Sequence, residues 1–306
     1  MCRIAVLLSS YNGCEFIEDQ INSILHQKGN FEITLYIRDD GSSDSTCDII
    51  KRLQGLHSNI ILFEGENIGV NSSFLELMRL AKKSDYYAIS DQDDIWMDDK
   101  LSSAILQLQR IERESRPLLY GSASLCVDKG LNALSVEPHI YRSISVYNTM
   151  IQNFIGGHTQ VFNYKFCEIA LKTFDAESVF LYDSFFTNIG MIYKGLVFDE
   201  TPHVMYRLHE KNAVGTGVGL IDWIKKNIIR VQKGQSKLYA KQFDYIANTF
   251  KKELSCEENE EIKKFQNSKT NFFTRIRYIV TTKFYRQHRV ENYFFKMMYL
   301  FGGYNY

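Results

Sequence analysis

The chain has 306 residues, and its 36 lysines and arginines balance 36 aspartates and glutamates, so the formal net charge is zero. This balance argues against nucleic acid as a partner, because proteins that bind its phosphates usually carry a basic surface. The length allows one domain of about 215 residues with a smaller appendage. No apolar run reaches the ~18–20 residues of a membrane-spanning helix.

Six cysteines are scattered along the chain, at positions 2, 14, 47, 126, 167 and 256. They form neither a Cys-x-x-Cys pair nor a spacing typical of metal sites. The first residues do not resemble a signal peptide. These features together predict a protein of the reducing cytoplasm.

The first ninety residues alternate apolar runs with polar turns and helical patterns. The apolar runs predict buried strands at residues 4–8, 33–37, 60–63 and 86–89. Apolar side chains spaced by three and four residues predict helices between them. This alternation predicts an α/β fold with a largely parallel central sheet flanked by helices. A further strand is predicted at 118–120, and residues 117–150 are expected to continue the sheet.

Three carboxylates follow the fourth predicted strand, in the segment Ser-Asp-Gln-Asp-Asp-Ile-Trp at 90–96. Open α/β sheets bind ligands outside the carboxyl ends of their strands. Clustered carboxylates repel one another unless a cation neutralises them, and oxygen ligands suit Mg²⁺ or Mn²⁺. The segment therefore predicts a metal site that can also hold a diphosphate. The alternative is a solvated acidic turn that caps a helix starting near Asp98.

Polar side chains also follow the first two predicted strands. Ser9 and Tyr11 follow the first strand, and Asp39 and Asp40 follow the second. Such turns share one edge of a parallel sheet, where an acid can accept from a pyrimidine N–H or ribose hydroxyls and Tyr11 can pack on the base. Each turn alone is also typical of a helix-capping loop. No P-loop or Gly-x-Gly-x-x-Gly segment occurs in these turns, which argues against a P-loop or dinucleotide-binding fold.

Four segments occur in order: Ser-Ser-Tyr-Asn at 9–12, Arg-Asp-Asp-Gly-Ser-Ser-Asp at 38–44, Asn-Ile-Gly at 67–69 and the acidic segment at 90–96. Together they resemble the family 2 glycosyltransferases, inverting enzymes with the GT-A fold. The acidic segment, with Lys100 and Leu101 shortly after it, is similar to bacterial rhamnosyltransferases of O-antigen and capsule assembly. The resemblance is close over residues 3–115 and looser to about 215.

This resemblance implies a GT-A catalytic domain at 1–215, with a Rossmann-like nucleotide-sugar-binding half at 1–115 and an acceptor half at 116–215. It implies a nucleotide-sugar donor, with dTDP-L-rhamnose favoured, and Mg²⁺ or Mn²⁺ bound by Asp91 and Asp93, with His209 in reach of the metal or the diphosphate. The residues expected at the nucleotide sugar are Ser9, Tyr11, Asp39, Asp40, Asn67, Asp91 and Arg207. Those expected near the donor sugar and acceptor are Asp94, Trp96, Gly156, Gly157 and His158.

Three of these expectations have simpler alternatives. His158 follows a Gly-Gly pair before an apolar strand, and a loop histidine with only structural hydrogen bonds would look the same. Arg207 and His209 lie in a segment similar to the one that ends the catalytic domain of these rhamnosyltransferases, although a surface loop with incidental charges is possible. Asp183 lies between large apolar residues, which suits a general base for an acceptor hydroxyl. The resemblance implies the same role, because the family has its catalytic aspartate in a similar segment at this distance from the metal-binding acids. Asp183 could also cap a helix, and both roles are compatible.

Residues 216–306 predict a helical extension, in which aromatic residues interleave with cations from about residue 270 onward. That composition suits the membrane–water interface, and packing against the catalytic domain or a partner subunit is the alternative. The function expected is sugar transfer onto a lipid-diphosphate-linked saccharide by an enzyme peripheral to the inner face of the bacterial membrane. One alternative is transfer of another hexose from a UDP- or dTDP-sugar. A nucleotidyltransferase is a second, but the basic, glycine-rich triphosphate loop that it would need is not found in the sequence. The alternative that is not an enzyme is a degenerate nucleotide-sugar-binding scaffold.

Overall fold

The computed structural model describes residues 1–112, 116–209 and 234–303. The chain divides into two compact units, each made of separate stretches. The first unit comprises Met1–Pro138, Ile155–Phe174 and Tyr193–His209, and the second comprises His139–Phe154, Asp175–Ile192 and Glu210–Tyr306. The domain boundary that we predicted at residue 215 lies outside the described residues.

All the described strands belong to the first unit. They are β1 (Cys2–Ser10), β2 (Phe31–Asp39), β3 (Ile60–Glu64), β4 (Tyr86–Ser90), β5 (Ile95–Trp96), β6 (Leu119–Ser122), β7 (Ser124–Val127), β8 (Ala133–Glu137), β9 (Val161–Asn163), β10 (Leu196–Asp199) and β11 (Val204–Arg207). The described α-helices are α1 (Ile17–Leu25), α2 (Thr46–Leu56), α3 (Val70–Leu80), α4 (Lys100–Ile111), α5 (Val146–Thr149), α6 (Tyr164–Thr173), α7 (Tyr182–Ile192), α8 (Gln235–Thr249), α9 (Cys256–Asn267), α10 (Phe272–Thr281) and α11 (Arg289–Leu300).

A seven-stranded sheet forms the centre of the first unit, in the order β10-β6-β9-β4-β1-β2-β3. Of these strands, β9 alone runs antiparallel to its neighbours. Every residue of β4 is buried, as expected of a strand covered on both faces. The flanking helices bury apolar stripes, such as Ile17, Ile21 and Ile24 of α1, and each such side chain contributes about 1.5–3 kcal/mol. The predicted central sheet flanked by helices is confirmed.

A smaller sheet of four strands, in the order β5-β11-β7-β8, lies beside the carboxyl ends of this core. Our expectation that residues 117–150 continue the main sheet is therefore wrong for β7 and β8, although β6 does join it. The reason is β11, which pairs in parallel with β7 and in antiparallel with β5. Because β5 forms the end of the acidic segment at 90–96, this pairing brings residues 204–207 alongside it.

The described part of the second unit is helical. Phe265 of α9 lies at its centre, and the rings of Phe243, Tyr278, Phe284 and Tyr299 lie 4.4–6.0 Å from the Phe265 ring. The predicted helical carboxyl-terminal extension is thus confirmed for residues 234–303. In the part of the chain that the structure describes, no helix is both long and apolar enough to cross a membrane.

Candidate active site

The carboxyl ends of β1, β2 and β4 meet at one edge of the main sheet, which we call the rim. Ser10 at the end of β1 is in register with Asp39 at the end of β2, and Leu8 is in register with Ser90 of β4. The hydroxyl of Ser10 donates a hydrogen bond to Asp39 Oδ2 over 2.9 Å. The polar turns that we predicted to share an edge therefore do so.

Gln92 ties the acidic segment to the turn after β1. The Tyr11 N–H donates to Gln92 Oε1 over 2.8 Å, and Gln92 Nε2 donates to the Tyr11 carbonyl over 3.0 Å. A Cβ at Gly13 would lie 2.2 Å from Gln92 Oε1, so a larger residue there would displace this amide. The Tyr11 side chain remains 49% exposed, so its ring is accessible to a ligand. Our sequence reasoning did not single out Gln92.

Asp39 is buried, and hydrogen bonds engage both of its carboxylate oxygens. Oδ1 accepts from the Ser42 N–H over 2.8 Å, and Oδ2 accepts from the hydroxyls of Ser42 and Ser10 over 2.6 and 2.9 Å. These bonds hold the turn after β2 against the end of β1. A contact with a base or ribose stays a prediction for this residue.

Asp40 is buried beside Arg38, with which it forms an ion pair. Its oxygens accept from the N–H groups of Ile68 and Gly69 over 2.9 and 3.0 Å, so the acid holds the Asn-Ile-Gly loop in place. Asn67 in that loop is exposed. Ser9 forms a 2.7 Å hydroxyl–hydroxyl hydrogen bond with Ser73 of α3. The predicted nucleotide contacts of Ser9, Asp40 and Asn67 are not tested by these bonds.

Asp91, Asp94 and His158 form what we call the acid–histidine cluster, in which one ligand atom from each residue lies within 4.8 Å of the others. Asp94 is completely buried, and its Oδ1 accepts from the Arg207 N–H over 3.3 Å. Its Oδ2 has no hydrogen-bond partner among the described residues. Burial raises the pKa of Asp94, and the charges of Asp91 and Asp93 raise it further. A buried carboxylate oxygen without a donor is costly, and a cation would relieve that cost.

His158 lies in a 3-10 turn at Gly157–Thr159. Its Nε2 is 2.7 Å from the Ser124 hydroxyl, and its Nδ1 is 3.8 Å from Asp91 Oδ2. Burial, together with the charge of Lys100, lowers the pKa of His158 to about 3, so the imidazole is neutral at pH 7. If Nε2 carries the hydrogen and donates to Ser124, the lone pair of Nδ1 faces Asp91. Neutral imidazole and carboxylates together are a donor set that binds divalent ions.

Two residues hold the His158 turn in place. A Cβ at Gly156 would lie 2.5 Å from His158 Cε1, so the ring requires glycine at this position. Lys100 of α4 is completely buried and donates to the carbonyls of His158 and Ile89 over 2.7 and 3.4 Å. Its ammonium also lies 3.2 Å from the ring centroid of Trp96. Lys100 thereby connects the end of β4 with the turn that carries His158.

Asp93 and His209 form a separate pair, with His209 Nε2 2.8 Å from Asp93 Oδ2. The His209 ring stacks on Phe16, with centroids 5.2 Å apart. Our predicted metal set of Asp91, Asp93 and His209 is therefore divided in the structure, because Asp91 lies with Asp94 and His158 instead. The pairing of β5 with β11 explains how a segment so distant in sequence supplies His209 to this region.

Arg207 is buried at the end of β11. Its Nε donates to the Asp93 carbonyl over 3.1 Å, and its Nη1 donates to the Lys129 carbonyl over 2.9 Å. The guanidinium also lies 4.6 Å from the ring centroid of Phe16. Arg207 thus fixes the backbone beside the acids, and its contact with phosphate stays a prediction.

Residues 5–115 match the sequence model of Glycosyl transferase family 2. This chain carries a family 2 glycosyltransferase domain. The glycosyltransferase is 28% identical over 261 residues to the dTDP-rhamnosyl transferase RfbG of Shigella flexneri, a match that covers 79% of this chain and 83% of RfbG.

Solved structures confirm the GT-A fold of the glycosyltransferase. TarS 1–349 of S. aureus, solved with UDP-GlcNAc, superposes with a TM-score of 0.59 at 13% identity, covering 99% of this chain and 89% of TarS. The mannosyltransferase PcManGT of Pyrobaculum calidifontis, solved with GDP-Man and Mn²⁺, superposes with a TM-score of 0.52 at 16% identity, covering 99% and 86% of the two chains.

Asp183, our predicted general base, belongs to the second unit of the glycosyltransferase. It lies in the first turn of α7, where its Oδ1 accepts from the Ser184 N–H over 2.7 Å. The helix therefore begins where the sequence predicted. The position is half-buried, with Tyr182, Phe185 and Phe186 buried around it in the chain. The role of Asp183 in catalysis stays a prediction.

Proposed function

We propose that this glycosyltransferase moves L-rhamnose from dTDP-L-rhamnose, with inversion, onto a hydroxyl of a lipid-diphosphate-linked saccharide during O-antigen or capsular polysaccharide synthesis. The observation that carries the proposal is the acid–histidine cluster at the carboxyl end of β4, within a family 2 domain. The choice of rhamnose is supported by the similarity to a dTDP-rhamnosyl transferase over most of both chains.

The cluster suits Mg²⁺ or Mn²⁺, which Asp91, Asp94 and His158 would hold. Such an ion, when bound, supplies positive charge that stabilises the departing nucleoside diphosphate. The buried, unsatisfied Oδ2 of Asp94 and the neutral ring of His158 support this assignment. Asp93 and His209, which the sequence predicted as metal ligands together with Asp91, are the alternative ligand pair.

The chain's own residues would divide the remaining tasks. The exposed ring of Tyr11 would pack on the base, while Asp39 retains acceptor capacity on Oδ1 for a base or ribose donor. Arg207 would contact phosphate oxygens. Asp183 would take the proton from the acceptor hydroxyl as this oxygen attacks the anomeric carbon from the face opposite the diphosphate.

A second candidate is transfer of another hexose from a UDP- or dTDP-sugar. It is favoured by the likeness in fold to TarS, which was solved with UDP-GlcNAc. A non-catalytic scaffold is disfavoured, because the acids of the cluster are all present and one of them is buried at a cost to folding. We place the enzyme in the cytoplasm, at the inner face of the membrane that carries its acceptor.

A donor screen tests this proposal. Purified enzyme would be incubated with Mn²⁺ or Mg²⁺, a lipid-linked saccharide and, in turn, dTDP-L-rhamnose, UDP-glucose, UDP-GlcNAc and GDP-mannose. We expect the highest kcat/KM with dTDP-L-rhamnose and an inverted anomeric centre by NMR. A higher kcat/KM with another donor would refute the choice of rhamnose, and retention of configuration would refute the mechanism.

A further inference from the structure

Two neighbouring helices of the second unit expose large apolar side chains in regular rows. On α10, Phe273 and Val280 are 81% and 77% exposed, and Ile276 lies between them at helical spacing. Along and just after α11, Tyr293, Met297 and Phe301 recur every fourth residue, and the first and last are 72% and 69% exposed. We call these two rows the apolar ridges.

Both ridges lie on the outer faces of their helices. Tyr278 of α10 and Tyr299 of α11 are buried, and both rings contact Phe265 of α9. The ring centroids of these two tyrosines are 5.2 Å apart. Because each ridge lies opposite its buried tyrosine on a helix of 3.6 residues per turn, both ridges face away from α9. The inner faces already supply the packing, so the ridges are not needed for it.

Cations accompany the ridges. Residues 268–303 contain seven lysines and arginines but a single acid, Glu291, whereas the chain as a whole has a formal net charge of zero. That acid accepts a hydrogen bond from Gln152 over 2.7 Å. Arg277 is exposed and lies four residues after Phe273, while Lys296 is adjacent to Met297. Lys269 and Lys283 form ion pairs with Asp244 and Glu257, which lie outside this segment. The positive charge that accompanies the ridges is therefore that of Arg277, Arg289 and Lys296.

We propose that the apolar ridges form a surface that binds anionic lipid and seats the enzyme on the membrane. Large apolar side chains can enter the boundary between headgroups and acyl chains, while the arginines and lysines remain at the level of the anionic headgroups. The excess of cations favours an anionic bilayer over a second copy of this chain, because the same surface of that copy would carry the same positive charge. The proposal rests on the proposed function for its purpose, because a lipid-linked acceptor is reached at the bilayer surface.

Vesicle flotation of the full-length protein tests the ridges directly, with phosphatidylglycerol–phosphatidylethanolamine vesicles compared with phosphatidylcholine vesicles. One variant replaces four ridge residues (Phe273→Gln, Val280→Gln, Tyr293→Gln, Phe301→Gln), and another replaces three cations (Arg277→Gln, Arg289→Gln, Lys296→Gln). The matched control is Leu56→Gln with Leu134→Gln, which are exposed apolar positions of the first unit. All four ridge positions are exposed, so unfolding curves should match wild type.

We expect wild type and the control to float with anionic vesicles only, and added salt to weaken this binding. The ridge variant should stay unbound. The cation variant should bind on the order of 100-fold more weakly, because it lacks three cations that each contribute to the free energy of binding to anionic lipid. Equal flotation of the ridge variant and wild type would overturn the proposal. So would failure of wild type to float, or a ridge-dependent dimer in light scattering.

The assay is independent of catalysis, since flotation needs neither donor nor acceptor. Turnover of nucleotide sugar with a short soluble acceptor, measured in parallel, should be the same for wild type and both variants. Absence of turnover by the wild-type enzyme would refute the proposed function. Whether the ridges bind lipid is decided by the flotation assay alone.

Discussion

Replacing Asp94 by asparagine should separate metal binding from folding. The ligand atoms of Asp91 and Asp94 lie within 4.8 Å. Two unit charges at that distance repel by about 3.5 kcal/mol at an effective dielectric constant of about 20. Asparagine removes this repulsion but keeps an oxygen that can accept from the Arg207 N–H. We therefore expect metal-free Asp94→Asn to be as stable as wild type, or more stable by up to about 3 kcal/mol.

The gain from Asp94→Asn should grow with pH. The pKa of Asp94 is raised in the folded protein above its ordinary value of 3.8. As the pH rises above that value, the unfolded chain loses the proton before the folded chain does, which favours unfolding. Asparagine has no proton to lose, so variant and wild type should differ least in acid. Urea unfolding without metal at several pH values measures this difference.

Metal binding should stabilise wild type more than Asp94→Asn, whereas without metal the variant is expected to be at least as stable. At a free Mn²⁺ concentration of about 100 times Kd, binding stabilises wild type by about 2.7 kcal/mol. If loss of a ligand weakens binding about 100-fold, the same concentration stabilises the variant by only about 0.4 kcal/mol. The comparison is made by unfolding each protein with and without Mn²⁺.

Asp93→Asn is the matched control, because it removes a neighbouring acid that pairs with His209 instead. Asp93→Asn should keep most of the Mn²⁺-dependent gain in stability. If Asp94→Asn retains the full gain while Asp93→Asn loses it, the metal belongs to the Asp93–His209 pair, and our reasoning about the buried oxygen of Asp94 is refuted.

Asp183→Asn should abolish transfer yet bind the nucleoside diphosphate about as well as wild type in calorimetry, and a matching loss of affinity would contradict its role as base. Lys100→Met should lower the free energy of unfolding by about 2–4 kcal/mol, because two buried carbonyls lose their donor; a loss below about 1 kcal/mol in urea would contradict this account. Burial alone would raise the pKa of Asp44, but hydrogen bonds from Thr46 and Cys14 outweigh it and lower the pKa to about 2. Asp44 therefore stabilises the fold above pH 4 and loses this effect as the pH falls through 2, so Asp44→Asn should cost about 1 kcal/mol at neutral pH, and an equal cost near pH 2 would contradict the assignment.

The sequence predicted the rim well because its physics is local. Continuous apolar runs identify β1 to β4, and parallel pairing then brings their carboxyl ends together, so Asp39, Asp40 and Asp91 could be placed on one edge. The helical pattern after Asp183 likewise predicted α7, whose first turn contains this residue. These conclusions needed only the regular alternation of strands and helices, which predicts a parallel sheet without specifying which strands are neighbours.

The remaining features depend on contacts between distant segments. Beyond the end of β4, the sequence has no hydrophobic periodicity that shows which acid points inward. The pairing of β5 with β11 places Asp94 in the core and Asp93 beside His209. Lys100 was noted only as part of the resemblance, and nothing in the sequence placed it in the core, because a buried lysine is rare and its partners are backbone carbonyls. The second sheet was missed for a similar reason, since the β7–β8 hairpin is joined to β5 only through β11.

The most direct test of our central claim is metal-dependent turnover of a nucleotide sugar. Purified enzyme would be treated with EDTA and then supplied with Mn²⁺ or Mg²⁺, a lipid-linked saccharide and dTDP-L-rhamnose, and the release of dTDP and the glycosylated product would be measured. We predict that release and product appear together, that both need the metal, and that Asp94→Asn loses both. Turnover that is unaffected by EDTA, or retained by Asp94→Asn, would contradict the metal-assisted mechanism. Absence of turnover with dTDP-L-rhamnose and with every other donor of the screen would contradict the proposed function itself.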